Sequence, residues 1–75
     1  MTIIDYTARE QAPVTYDVTA VSHDDRRVPL TSGTVIYVAC DIAKARSRDD
    51  RWSAVQVRES PSGHIAATYA NGELR

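Results

Sequence analysis

Seventy-five residues at 8.3 kDa leave room for one small domain, and a chain this short hides only about 60% of its extended surface on folding. Hydrophobic residues at 43% and charged residues at 25% exclude wholesale disorder. Nine basic against ten acidic side chains, net charge −1, exclude a general nucleic-acid coat or a polybasic membrane binder, which carry a large positive excess. With no Phe and one Trp, the core falls to Val, Ile, Leu and Ala and is thin.

The single cysteine, Cys40, makes no internal disulfide, which points to a reducing compartment. Met1 to Asp5 lacks the basic start and apolar run of a signal peptide, and no apolar stretch approaches the roughly 20 residues of a membrane span. A soluble, cytoplasmic protein is expected.

Residues 1–13 read as an N-terminal lead-in: Ile3, Ile4 and Tyr6 form an apolar group ahead of a polar stretch that ends at Pro13. Its apolar residues favour docking on the body or on a second copy. Residues 14–75 read as a single domain. Val14, Tyr16, Val18 and Ala20 alternate with Thr15, Asp17 and Thr19, the period-two pattern of a half-buried strand. Ser22 to Arg26 supplies turn residues. Val28-Pro29-Leu30 reads as a short return strand, kept to a sheet edge because Pro29 has no N–H to donate.

Thr31-Ser32-Gly33-Thr34 reads as a helix start with hydroxyls available for capping. Val35, Val38, Ala39, Ile42 and Ala43 then fall at i, i+3, i+4, i+7 and i+8, one face of a helix, with Tyr37, Asp41 and Lys44 opposite. Lys44, Arg46 and Arg48 place positive charge at the negative pole of the helix dipole. Ser47 to Arg51 makes the polar loop out.

Trp52 to Glu59 and His64 to Ala70 flank Ser60-Pro61-Ser62-Gly63, which fits a type I turn followed by a left-handed glycine bulge. That register sets Val57 opposite Ala67, Val55 opposite Tyr69 and Glu59 opposite Ile65, so the large aliphatics share one face; a one-residue slip would scatter them. The other face would carry Trp52, Ala54, Gln56, Arg58, Ala66 and Thr68. Asn71-Gly72 is a further turn signal, with the chain expected to stop there. The expected class is α+β: an antiparallel sheet in the order β-β-α-β-β with one helix packed on one face.

No metal site and no cofactor are expected: His23, Asp24, Asp25, Cys40 and His64 show no ligand spacing. Asp24-Asp25 and Asp49-Asp50 sit in turns, which Asp favours by bonding its own backbone. Ser, His and Asp are present without a nucleophile elbow, so no catalytic residue is expected and the chain reads as a non-enzyme. Arg46, Arg48 and Arg51 beside Trp52 make a possible stacking and charge site for nucleic acid. Asp49 and Asp50 sit inside that cluster, so direct nucleic-acid binding is the alternative reading. A thin core also favours a homodimer.

In length, acidity, cysteine poverty and β-β-α-β-β order, residues 14–72 resemble small proteins of phages and mobile elements, among them anti-CRISPR inhibitors. The resemblance is one of build, with no shared motif. It implies a catalytically silent domain that binds and blocks a bacterial anti-phage defence complex, a nucleic-acid-processing machine, by occupying a surface. The surfaces expected to meet a partner are Asp24, Asp25, Asp49, Asp50, Trp52 and Arg58. The alternatives are a small nucleic-acid-binding regulator using Arg46, Arg48, Arg51 and Trp52, and an accessory subunit of a larger assembly.

Overall fold

A computed structural model describes residues 14–75. The alternating segment forms β1 (Thr15–Ser22); its fully buried positions Val18 and Ala20 lie on one side, as the pattern requires, and Val21, also buried, lies on the other. β2 (Arg27–Thr34) returns antiparallel to β1, and α1 (Ile36–Arg46) follows. β3 (Trp52–Ser60) pairs with the other edge of β1, β4 (Ile65–Ala70) with β3, and a two-residue β5 (Glu73–Leu74) with β4. The sheet is antiparallel throughout, in the order β2-β1-β3-β4-β5, with the helix on one face. The α+β class and the placing of Pro29 on an edge strand hold. The lead-in, residues 1–13, lies outside the described residues.

The core is the contact between helix and sheet. Ala39 and Ala43 come down on Val18, Ala20, Val55 and Val57, all six fully buried. Tyr16, Leu30, Ile36, Cys40, Ile42, Trp52, Ala67 and Tyr69 pack around that centre and stay partly exposed. Among the described residues the largest fully buried side chains are valines and Ser47.

Five expectations need correction. Thr31–Thr34 is not a helix start but the second half of β2. Thr31 and Thr34 are β-branched and suit a strand, and Gly33 at φ 70° occupies the left-handed region. The Gly33 N–H bonds the Asp17 carboxylate at 3.0 Å. The helix therefore begins after Val35, with no side-chain cap.

The helix is also rotated from the expected face. Its sheet-facing positions are Ile36, Ala39, Cys40 and Ala43, while Val35 and Val38 are 60% and 45% exposed. Small residues at the contact let the helix approach the sheet closely, and the alanines win the contact from the valines.

In the β3–β4 hairpin, Val55 faces Tyr69 and Val57 faces Ala67 as expected, but Ile65 faces Arg58 instead of Glu59. The Glu59 N–H bonds the His64 carbonyl at 2.7 Å and the Gly63 N–H bonds the Glu59 carbonyl at 2.7 Å, so the loop holds four residues, 60–63. A bulge at Ala66 absorbs the difference before the core pairs are reached. Ile65 is left 43% exposed as a result.

Trp52 lies on the helix face, not the outer one. Val21 pairs with Ala54 but Ser22 pairs with Trp52, so Ser53 is an extra residue in β3. That bulge turns Trp52 to the side of Ser22, Ala20 and Val18, where it packs on the core. Finally, the chain does not stop at Asn71-Gly72: the turn leads into β5, and the Arg75 N–H bonds the Thr68 carbonyl at 2.8 Å.

Among the described residues, no helix is long and apolar enough to cross a membrane. Because the core centre is so small, a single truncation there should be costly. Val57→Ala is expected to lower the unfolding free energy by about 2 kcal/mol. Urea denaturation at 25 °C should show a lower midpoint with an unchanged slope, and a loss below about 0.5 kcal/mol would contradict this core assignment.

Candidate interaction surface

One end of the domain gathers the β1–β2 turn, the α1–β3 loop and the β4–β5 turn. In the first, the Ser22 N–H bonds the Arg26 carbonyl at 2.8 Å and the Asp25 N–H bonds the Ser22 carbonyl at 3.0 Å. Asp25 sits at φ 70°, a left-handed conformation that Asp tolerates better than most residues. The Ser22 hydroxyl bonds the Asp24 carboxylate and accepts the Arg26 N–H at 3.0 Å. Arg26 also pairs with Asp24 at 3.3 Å, an exposed contact of small energetic weight.

The α1–β3 loop is fastened at both ends. Ser47 closes the helix, and its hydroxyl donates to the Lys44 carbonyl at 2.8 Å. The same oxygen accepts the Gly72 N–H at 2.8 Å, while the Ser47 carbonyl accepts the Asn71 N–H at 3.0 Å. Ser47 is 1% exposed and ties the helix to the β4–β5 turn. Gly72 has φ 79°, and a Cβ there would stand 2.7 Å from Arg48 Nε, so the Arg48 side chain lies over a glycine. At the other end, the Trp52 N–H bonds the Asp49 carbonyl at 3.1 Å.

Asp49 is spent within this loop. It accepts the Arg51 N–H at 3.1 Å and pairs with the Arg51 guanidinium at 3.1 Å. The backbone bond from Arg51 is the main reason its carboxyl is held below the usual carboxylate range; loss of hydration opposes it, and the charge and side-chain bond of Arg51 and the charge of Arg46 lower it further. Arg51 in turn lies 5.7 Å from the centre of the Trp52 ring, a cation–π distance.

Two side chains join the turn to the loop and the strand that follows it. His23 Nε2 donates to the Asp50 carbonyl at 2.7 Å. The Ser53 hydroxyl reaches the Val21 and Ser22 carbonyls at 3.1 and 3.3 Å. Asp24, Asp25, Asp49 and Asp50, distant in sequence, therefore share one end of the molecule with Arg26, Arg46, Arg48 and Arg51. Asp25 and Asp50 are exposed, and among the described residues their carboxylates make no hydrogen bond or ion pair.

Arg58 is elsewhere. It lies on the outer sheet face opposite Asp17, and its guanidinium bonds the Gln56 amide oxygen at 3.2 and 3.3 Å. With Trp52 on the helix face, the expected Trp52–Arg58 patch is not formed. Sequence reasoning missed His23 and Ser47 as organising residues. Ser47 continues the spacing Ala39, Ala43, Ser47 on the buried helix stripe, a signal that was present; nothing local marks His23.

Among the described residues, no group of His, Cys, Asp and Glu is placed to hold a metal ion, and no pocket opens. No protein-family model, curated protein or solved structure matches the chain.

Ser47→Ala strips a buried acceptor from the Gly72 N–H and should cost about 1–3 kcal/mol in chemical denaturation. Fast amide exchange at Gly72 and Asn71 should accompany the loss; protection unchanged at both would refute the tie. Asp49, whose carboxyl is depressed in the folded state, stabilises the loop above its unfolded value of about 4 and loses that contribution as pH falls through the folded value. An NMR titration should show the Arg51 amide shift following the Asp49 carboxyl, with a midpoint below about 4; a midpoint above it would overturn the assignment.

Proposed function

We propose that the chain is a non-enzymatic protein-interaction domain whose contact surface is the end built by the β1–β2 turn and the α1–β3 loop. The observation that carries this reading is the His23–Asp50 bond, which holds the two acidic loops in one fixed arrangement. Within it, Asp49 and Asp24 are engaged by neighbouring arginines, and Asp25 and Asp50 face solvent. Two carboxylates on a fixed frame suit recognition of cationic side chains, where complementarity sets specificity and association rate. Trp52 adds half-exposed aromatic area beside them.

The partner class we propose is a bacterial anti-phage defence complex of the CRISPR type, blocked at a basic nucleic-acid channel. Its support is the resemblance of build together with a surface that offers carboxylates for arginines. The nucleic-acid-binding reading draws on the exposed Arg46, Arg48 and Arg51. It is weakened by Asp49 on Arg51 and by Arg51 over the ring of Trp52, the aromatic that would stack on a base.

The test is affinity capture of the full chain from bacterial lysate, with and without nuclease, repeated with an Asp25→Asn, Asp50→Asn variant. Asn tolerates the left-handed backbone at position 25, so the charge is removed and the turn kept. A stoichiometric protein partner that survives nuclease and falls by at least about tenfold with the variant, roughly 1.4 kcal/mol, is expected. Equal capture by the variant would refute this surface. Recovery of nucleic acid alone, with affinity falling steeply as salt rises, would refute the protein-interaction reading in favour of the arginine cluster.

A further inference from the structure

The β4–β5 turn demands one kind of dipeptide. Asn71 and Gly72 alone link the paired residues Ala70 and Glu73, and both have positive φ, 55° and 79°. Two-residue hairpins of this kind favour Asn-Gly for that reason. At 72 space adds to the demand, since a Cβ would stand 2.7 Å from Arg48 Nε.

The same dipeptide is chemically labile. The backbone nitrogen that follows an asparagine can attack the asparagine side-chain carbonyl, and glycine has no Cβ to hinder the attack. A bond forms from the Gly72 nitrogen to Asn71 Cγ, the bond from Cγ to the side-chain nitrogen breaks, and ammonia leaves with the proton that the Gly72 nitrogen gave up. Water then opens the cyclic imide. The product is aspartate, or isoaspartate with an extra atom in the main chain, and water is the only co-reactant.

Two hydrogen bonds stand in the way. The Gly72 N–H, the group that must lose its proton, donates to the Ser47 hydroxyl at 2.8 Å in a buried setting. The Asn71 N–H donates to the Ser47 carbonyl at 3.0 Å and holds the backbone that must rotate toward the imide geometry. Asn71 is exposed whereas Gly72 is buried. The electrophile is open to water, and one serine shuts in the nucleophile.

We propose that Asn71 is a deamidation site kept dormant by Ser47, and that its conversion releases the end of α1 from the last turn. Isoaspartate in a two-residue turn displaces the N–H groups of residues 71 and 72 from Ser47, so the buried serine loses the partners that tie α1 to the β4–β5 turn. The chain thereby carries a slow, irreversible route to a looser charged end, whatever partner that end meets. Asn71 is the chain's one asparagine, so peptide mapping assigns the product without ambiguity.

Incubation of the full chain at mildly alkaline pH, read by mass spectrometry with separation of isoaspartate, provides the test. Conversion in native buffer is expected to run at least about tenfold slower than in concentrated urea, the scale of one buried hydrogen bond. Ser47→Ala should accelerate native conversion by at least about tenfold. Val57→Ala, a core truncation of similar cost that leaves the tie intact, should stay near the wild-type rate. The isolated isoaspartate form should show fast amide exchange at Gly72. Ser47→Ala running no faster than wild type, or no faster than Val57→Ala, would overturn the role of Ser47. Wild-type conversion as fast in native buffer as in urea would overturn the proposal even if Ser47→Ala fails to fold. Protection retained at Gly72 in the isoaspartate form would overturn the release of the helix end.

Discussion

The structure depends on how closely one helix can approach one sheet. Among the described residues no apolar side chain larger than valine is fully buried, and the contact is made by Ala39 and Ala43 on Val18, Ala20, Val55 and Val57. Such a centre supplies little hydrophobic free energy against the conformational entropy of the chain. The larger apolar groups, Tyr16, Leu30, Ile36, Ile42, Trp52 and Tyr69, form a half-buried rim around it. Much of what fixes the fold must therefore lie in how that rim is placed and in the polar ties at the ends of the elements.

Those ties concentrate at one end. Ser47 satisfies its hydroxyl twice and binds the helix terminus to the last turn, and His23 and Ser53 bind the first turn to the loop that follows the helix. Each bond is modest on its own, but a buried Ser47 makes its loss expensive. The electrostatic consequence is a sorting of charges that are equivalent in sequence. Of two adjacent Asp pairs, one member of each is engaged by an arginine two residues downstream, and the other is left to solvent. A surface of that kind is set before a partner arrives, which reduces the ordering cost of binding.

The strands were legible because alternation at Val14 to Ala20 and at Val55 and Val57 is a direct image of a half-covered sheet. The hairpin register at the core was legible for the same reason, although its loop was one residue longer than expected. A bulge at Ala66 restored the phase before Val57, so two errors in local geometry cancelled where packing was strongest. The helix was legible as a helix but not in rotation. Hydropathy centres its apolar face on Val35, Val38 and Ile42, whereas contact with a flat sheet selects the alanines, because closeness of approach counts for more there than the hydrophobicity of any one side chain. Of the site, the four aspartates and the three arginines at the helix end were visible as charged turns. Their convergence was not, because it depends on His23 reaching the Asp50 carbonyl across 27 positions of chain.

Single inserted residues decide which large side chains join the core. In β2, Val18 pairs with Thr31 and Thr19 with Pro29, so Leu30 is an extra residue, and it packs on the core. The extra Ser53 turns Trp52 inward, and the bulge at Ala66 leaves Ile65 outside. No pattern based on strict alternation can anticipate these reversals, since each shifts the phase by one. Trp52 shows why the reversal matters for the surface. Facing outward, it would have left the far end of the loop ahead of it without an apolar anchor. Packed against the core, it holds the loop from the opposite side, so the segment carrying Asp49, Asp50 and Arg51 is pinned between a buried serine and a half-buried tryptophan. The exposed carboxylate of Asp50 thus projects from a short loop with both ends fixed in the fold, the condition a charge needs to select one partner geometry over another.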